Sequence, residues 1–153
     1  MWKNDLIYQD NLKTKSDITF GIEIEFDKAR KSIISDRLDR AYNEDVISRP
    51  WIIKNDETIY KGVVFSSPVG GEAVSDILND NKNTWDDIKF VCEKIKNFGG
   101  KTTTRCGAHV HVGANILENN MLYYERLIKL WTLYEDVIMR FCYGEDNEAR
   151  KYM

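Results

Sequence analysis

The 153-residue chain carries 22 basic and 25 acidic side chains, a net charge of −3, which argues against bulk nucleic-acid binding. It is 42% hydrophobic and 12% aromatic with only 2 Pro and 9 Gly, which excludes disordered, collagen-like and low-complexity classes. A single domain over residues 1–153 is expected at this length, no apolar run is long enough to span a bilayer, and Met1-Trp2-Lys3-Asn4-Asp5 lacks the apolar stretch of a secretory signal, so none is expected. Three widely spaced cysteines, Cys92, Cys106 and Cys142, read as reduced thiols, so a cytoplasmic setting is expected.

Residues 1–16 are polar and aperiodic, and with the polar tail 145–153 they are expected to be mobile. Residues 17–27 alternate strictly. Ile18, Phe20, Ile22, Ile24 and Phe26 share one face, and Thr19, Gly21, Glu23, Glu25 and Asp27 share the other. A period of two predicts a strand with one apolar face. Residues 32–43 place Ile33, Ile34, Leu38 and Tyr42 among charges and predict a short amphipathic helix. Beyond the break at Arg49-Pro50, residues 51–54 and 62–66 read as short strands around a turn at Asn55-Asp56-Glu57, and residues 67–71 as a loop. Thr84 is a candidate N-cap with Asp87 completing a capping box, Ile88, Val91, Cys92 and Ile95 repeat at helical spacing, and Gly99-Gly100 stops the helix. Residues 102–112 read as a strand, or a strand pair around Cys106-Gly107. A long helix is predicted over 118–142, and its stripe of Met121, Tyr124, Leu127, Ile128, Trp131, Tyr134, Ile138 and Phe141 reads as core packing. With no βαβ rhythm and no Gly-rich phosphate loop, the fold class is α+β: a mainly antiparallel sheet with helices on one face.

Two strands carry the chemistry. Glu23, Glu25 and Asp27 lie on one face of the first, with same-face neighbours roughly 7 Å apart, a spacing at which paired carboxylates hold hard cations such as Mg²⁺. The only two histidines, His109 and His111, fall in Gly107-Ala108-His109-Val110-His111-Val112-Gly113, again on one face and with flanking glycines that let a ligand approach. If both strands belong to one sheet, both ligand sets face the same side. Cys106 raises a zinc alternative, but it lies an odd number of residues from both histidines, so a regular strand points it away.

These segments resemble the amidoligase family, which is related in fold to glutamine synthetase and glutamate–cysteine ligase. Thr19-Phe20-Gly21-Ile22-Glu23-Ile24-Glu25-Phe26 is similar to its opening strand, and residues 105–113 to its CGxHVHVG segment. Residues 51–58 resemble its W-x-x-x-x-D-x-S/T segment, and residues 62–68 match its G-V-E-x-x-S-P segment in part. The resemblance covers roughly residues 17–150 and implies a partial glutamine-synthetase-like half-barrel. It further implies ATP-dependent amide-bond formation, with Glu23, Glu25 and His109 as Mg²⁺ ligands and His111 on a phosphate.

Two departures from the pattern bear on function. The glutamate of the G-V-E segment falls at Val64, which cannot coordinate a cation, and Asp27, Asp56 or Glu57 would have to replace it. The family domain also runs on past this length, with further strands and arginines. The resulting expectation is a shortened amidoligase-fold protein that has lost ligation and binds a macromolecule, by analogy a phage or mobile-element inhibitor of a host defence nuclease, in the manner of an anti-CRISPR protein. The alternative is a Mg²⁺- and ATP-dependent ligase completed by oligomerisation, with Arg140 and Arg150 as candidate catalytic arginines. Either way an open sheet edge points to a homodimer or a larger protein partner.

Overall fold

The computed structural model describes residues 18–55 and 69–143, with side chains to Arg140. Residues up to Gly113 form one compact unit and residues from Ala114 a second, and each is described by itself. In the first, β1 (Thr19–Arg30), β2 (Trp51–Lys54), β3 (Val69–Ser75), β4 (Leu78–Asn79) and β5 (Ala108–Val112) form one antiparallel sheet. Glu23 lies opposite Val74 of β3 and also opposite His109 of β5, so β1 is flanked on both edges. The strand that carries the acidic row is thus the centre of the sheet.

The alternation in β1 explains which face is covered. Phe26 is 1% exposed and packs with Ala73 of β3, Trp51 of β2 and Leu78 of β4, while Phe20, Ile22 and Ile24 pack against this cluster. Two helices complete it. In α1 (Lys31–Asn43), Ile34, Leu38 and Ala41 recur at helical spacing and are buried; in α2 (Lys82–Asn97), Ile88, Val91 and Ile95 do the same. The expected α+β layering is therefore present, with the acidic side chains left on the opposite face.

Several local expectations are corrected. β1 runs three residues past Asp27, with a register shift after Phe26 and Lys28 at φ 72°, its amide donating to Asp27 Oδ1 at 2.7 Å. The N-cap of α2 is Asn81, whose side chain accepts from the Thr84 amide at 3.0 Å, and not Thr84. Asp87 does not reach back to close a capping box. It is buried and accepts from both the amide and the hydroxyl of Ser48, which ties the segment after α1 to α2. The glycine stop is as expected: Gly99 has φ 87° and the Gly100 amide donates to Ile95 O at 2.8 Å. The 102–112 strand is regular only from Ala108, because residues 102–107 loop out between the Lys101–Asp27 bridge and β5.

Residues 69–71, read as loop from their glycines, belong to β3. Gly71 is there for space: a Cβ would sit 2.8 Å from Lys54 O of β2. Gly71→Ala is therefore expected to push β2 off β3 at a cost of about 1–3 kcal/mol and to displace the adjoining Glu72. Thermal unfolding beside a Mn²⁺ titration checks both effects, and an unchanged midpoint would show that the ladder yields freely. The expected strand at 62–66, and residues 1–17 and 144–153, lie outside the described residues.

The second unit holds a short 3₁₀ turn (Ala114–Leu117) and α3 (Met121–Tyr143). The helix starts later than predicted because Glu118 and Asn119 have positive φ. Within this unit, which holds a single long helix, Leu127, Ile128, Trp131 and Tyr134 of the expected stripe are exposed, as are Leu130, Leu133 and Val137 on other faces. In the first unit, α1 and α2 leave Val110 and Val112 of β5 66% and 59% exposed. Periodicity states which face seeks burial, but does not supply the layer that buries it. Among the described residues, no helix is long and apolar enough to cross a membrane.

Candidate functional site

The antiparallel register of β1 and β5 brings the two sequence motifs together. Glu23 Oε2 lies 2.9 Å from His109 Nδ1, and Glu23 Oε1 lies 3.1 Å from His111 Nε2. One carboxylate thus engages both histidines of the chain. β3 adds Glu72, directly opposite Glu25 in the β1–β3 register. One donor atom each from Glu23, Glu72 and His109 lie within 4.8 Å of one another, close enough to share a single cation.

The three acids of β1 do different work. Glu23 is half-buried and meets the histidines. Glu25 is 6% exposed, and its Oε2 accepts from the Gly107 amide at 2.6 Å. Gly107 has no side chain to interfere; a Cβ there would lie 3.3 Å from Glu25 Oε1. The glycine before the histidine strand therefore orients Glu25 with its backbone. Asp27 is buried and receives Arg105 Nη2 at 2.7 Å, which anchors the loop leading into β5. Burial pushes the Asp27 carboxyl up, but the Lys28 amide and Arg105 outweigh it and hold it below the usual aspartate range.

Among the predicted ligands, Glu23 and His109 converge, Glu25 lies beside them and outside the three-donor group, and His111 is held to the group through Glu23. Cys106 contacts Thr103 Oγ1 at 3.5 Å and Lys101 O at 3.9 Å, and is not a member of the donor group, so the zinc alternative has no support here. Arg140 is an exposed residue of α3 in the second unit. Asp56, Glu57, Val64 and Arg150 lie outside the described residues.

Glu72 is the residue that reasoning from sequence missed, although a signal was present. Gly70-Gly71-Glu72-Ala73-Val74-Ser75 meets a G-x-E-x-x-S spacing with its glutamate intact, whereas residues 62–68 place valine there. Its paired glycines suggested a loop, yet they belong to a strand whose neighbour approaches closely.

The electrostatics are those of a site prepared for positive charge. The hydrogen bond from His109 holds Glu23 below the usual glutamate range, and the same bond, reinforced by Glu25 and Glu72, raises His109. The cation-free His109 therefore keeps its proton to a higher pH than a free imidazole, whose pKa is about 6.5. A cation must displace that proton. Apparent affinity for Mn²⁺ is thus expected to rise from pH 6 to pH 8, and to lose most of that slope in His109→Gln. A flat profile in the parent protein would show that His109 does not take part.

An antiparallel sheet with helices on one face, and carboxylates and imidazoles from three adjacent strands on the other, defines an α+β protein with a cluster of candidate cation ligands on its sheet. The chain belongs to the amidoligase family: the family described as "Putative amidoligase enzyme" matches residues 16–151. Comparison with curated proteins and with solved structures gives no match.

Proposed function

We propose that the chain is a Mg²⁺- and ATP-dependent carboxylate–amine ligase. The observation that carries this is Glu72, which stands with Glu23 and His109 as the further carboxylate of the donor group. The expectation of lost ligation leaned on valine at position 64 and on the shorter length; Glu72 supplies a carboxylate that answers the first of these. The donor set fits the cation: two carboxylates and one imidazole suit Mg²⁺ or Mn²⁺ better than a thiolate-seeking metal. A bound divalent cation would supply charge neutralisation to phosphate oxygens during transfer.

The remaining work falls to side chains of this chain. Glu23 is steadied by two histidines, and Glu25 by the Gly107 amide. His111, exposed and tied to Glu23, would on this reading hydrogen-bond a phosphate oxygen. In the reaction, a substrate carboxylate attacks the terminal phosphorus and ADP leaves; an amine then displaces phosphate from the acyl phosphate and the amide forms.

The test is release of ADP and phosphate from Mg-ATP with panels of amines and carboxylates. Turnover should require both co-substrates and fall by at least ~10²-fold in Glu72→Gln, the scale of losing a preorganised electrostatic contact. Protein that binds Mg²⁺ yet turns over no pair would sink the ligase reading and leave the cation site.

A second reading, association with another copy or a larger protein, is favoured by one observation. Among the described residues β5 pairs only with β1, and Val110 and Val112 are exposed beside that outer edge. Light scattering on purified protein tests it, and a monomer at high concentration that captures no partner would count against it.

A further inference from the structure

The face that carries Glu23 and Glu72 continues across β3 to β2. Glu23 lies opposite Val74, and Val74 opposite Ile52, so one row across the sheet runs Ile52, Val74, Glu23, His109. The next row runs Lys54, Glu72, Glu25. The neighbours of these residues fix their face. Trp51 and Ala73 are buried in the core, and Ile53 packs against it. Ile52 and Lys54 alternate with Trp51 and Ile53 along β2, so they stand on the opposite face, and both are exposed. Val74, beside Ala73, is half-buried on that same face.

The chemistry of this corner selects a co-substrate. Ile52 is 61% exposed, and with Val74 it makes an apolar step that begins one strand spacing, about 5 Å, from Glu23. Lys54 lies one same-face step, roughly 7 Å, from Ile52 and stands opposite Glu72. Among the described residues of these two rows, Lys54 is the one lysine or arginine, beside the carboxylates of Glu23, Glu25 and Glu72. A substrate carboxylate that approaches those acids is repelled; a bound cation offsets this, and the Lys54 ammonium adds a second positive charge at one side. Ile52 and Val74 offer no hydrogen-bond partner, so a polar body laid on them loses water without replacement, whereas hydrocarbon does not.

We propose that the acid co-substrate is a carboxylate with an apolar body, its carboxylate held between Lys54 and the cation and its hydrocarbon lying on Val74 and Ile52. The proposal rests on the ligase reading and names the substrate class of that site. Ile52 is then a specificity residue, and Lys54 binds the carboxylate.

Proton NMR on Mn²⁺-loaded protein tests this with two probes of similar length: isocaproate, which has an apolar end, and glutarate, which has a second carboxylate. Protein-bound Mn²⁺ broadens the signals of a ligand held near it. In the parent protein isocaproate should bind at least ~10-fold more tightly than glutarate, the scale of one good apolar contact. Ile52→Lys, a change at an exposed position, should reverse that order. Lys54→Gln should weaken both acids at least ~10-fold while Mn²⁺ alone binds as well as before or better, and Lys54→Arg, which keeps the charge, should retain both. If Lys54 only offsets the charge of Glu72, Lys54→Gln leaves the acids untouched, which overturns the proposal. A parent that prefers glutarate, or that binds Mn²⁺ and neither acid, overturns it too. The ligase reading is judged separately, by ADP release. Turnover confined to polar or dicarboxylic acids overturns the apolar step and leaves the ligase, whereas no turnover with any pair overturns the ligase reading and this proposal with it.

Discussion

Glu23→Ala should abolish the rise in melting temperature that Mg²⁺ or Mn²⁺ gives the parent protein. A cation that binds the folded chain alone stabilises it by mass action, so the shift reports affinity directly. Glu23 is the residue on which the site turns, since its two oxygens engage His109 and His111 and one of them belongs to the three-donor group. Its loss removes a ligand and releases both imidazoles. Affinity is expected to fall by at least ~10²-fold, beyond the 10–100-fold typical of losing a residue that merely orients a ligand. Glu72→Ala should act in the same direction. Val64→Glu, which places a glutamate where residues 62–68 lack one, should leave affinity unchanged because Glu72 already serves. A parent protein with no shift at millimolar metal would remove the cation site altogether. Tightening by Val64→Glu would instead restore position 64 as the missing ligand.

Phe26→Ala should be the most damaging single change to stability. Phe26 is 1% exposed, sits on the central strand and packs in the cluster shared by the sheet, α1 and α2. Truncation of such a ring costs about 3–5 kcal/mol, from lost burial and the cavity left behind. For a domain of this size that lowers the midpoint by at least ~10 °C. The residue adjoins Glu25 and Asp27 along β1, so cation binding is expected to weaken with it. Thermal unfolding followed by circular dichroism reads the effect, and a loss below about 1 kcal/mol would mean the core closes over the gap.

Much of this was legible in advance because it is local. Alternation over residues 17–27 specifies both that β1 is a strand and which of its faces is apolar, since side chains on a strand alternate with period two. The same parity puts His109 and His111 on one face of β5. Ile88, Val91 and Ile95 mark the buried side of α2, and Gly99 marks its end, by the conformational preferences of single residues. Where local rules competed, the choice failed: Asn81 and Thr84 are both good caps, and glycines at positions 70 and 71 read as a turn.

What the chain by itself determined is a set of faces: an acidic row on β1, a histidine pair on β5, and apolar stripes that seek cover. Only the tertiary structure decided how those faces meet. The register of β1 against β5 made Glu23, and neither Glu25 nor Asp27, the partner of the histidines. The register against β3 brought in Glu72 from a segment that looked like loop. The loop before β5 assigned Glu25 to a backbone amide and Asp27 to Arg105. The reason is physical: a one-residue slip in a strand pair exchanges every side chain between faces, and the choice of register is made by packing between segments far apart in the chain.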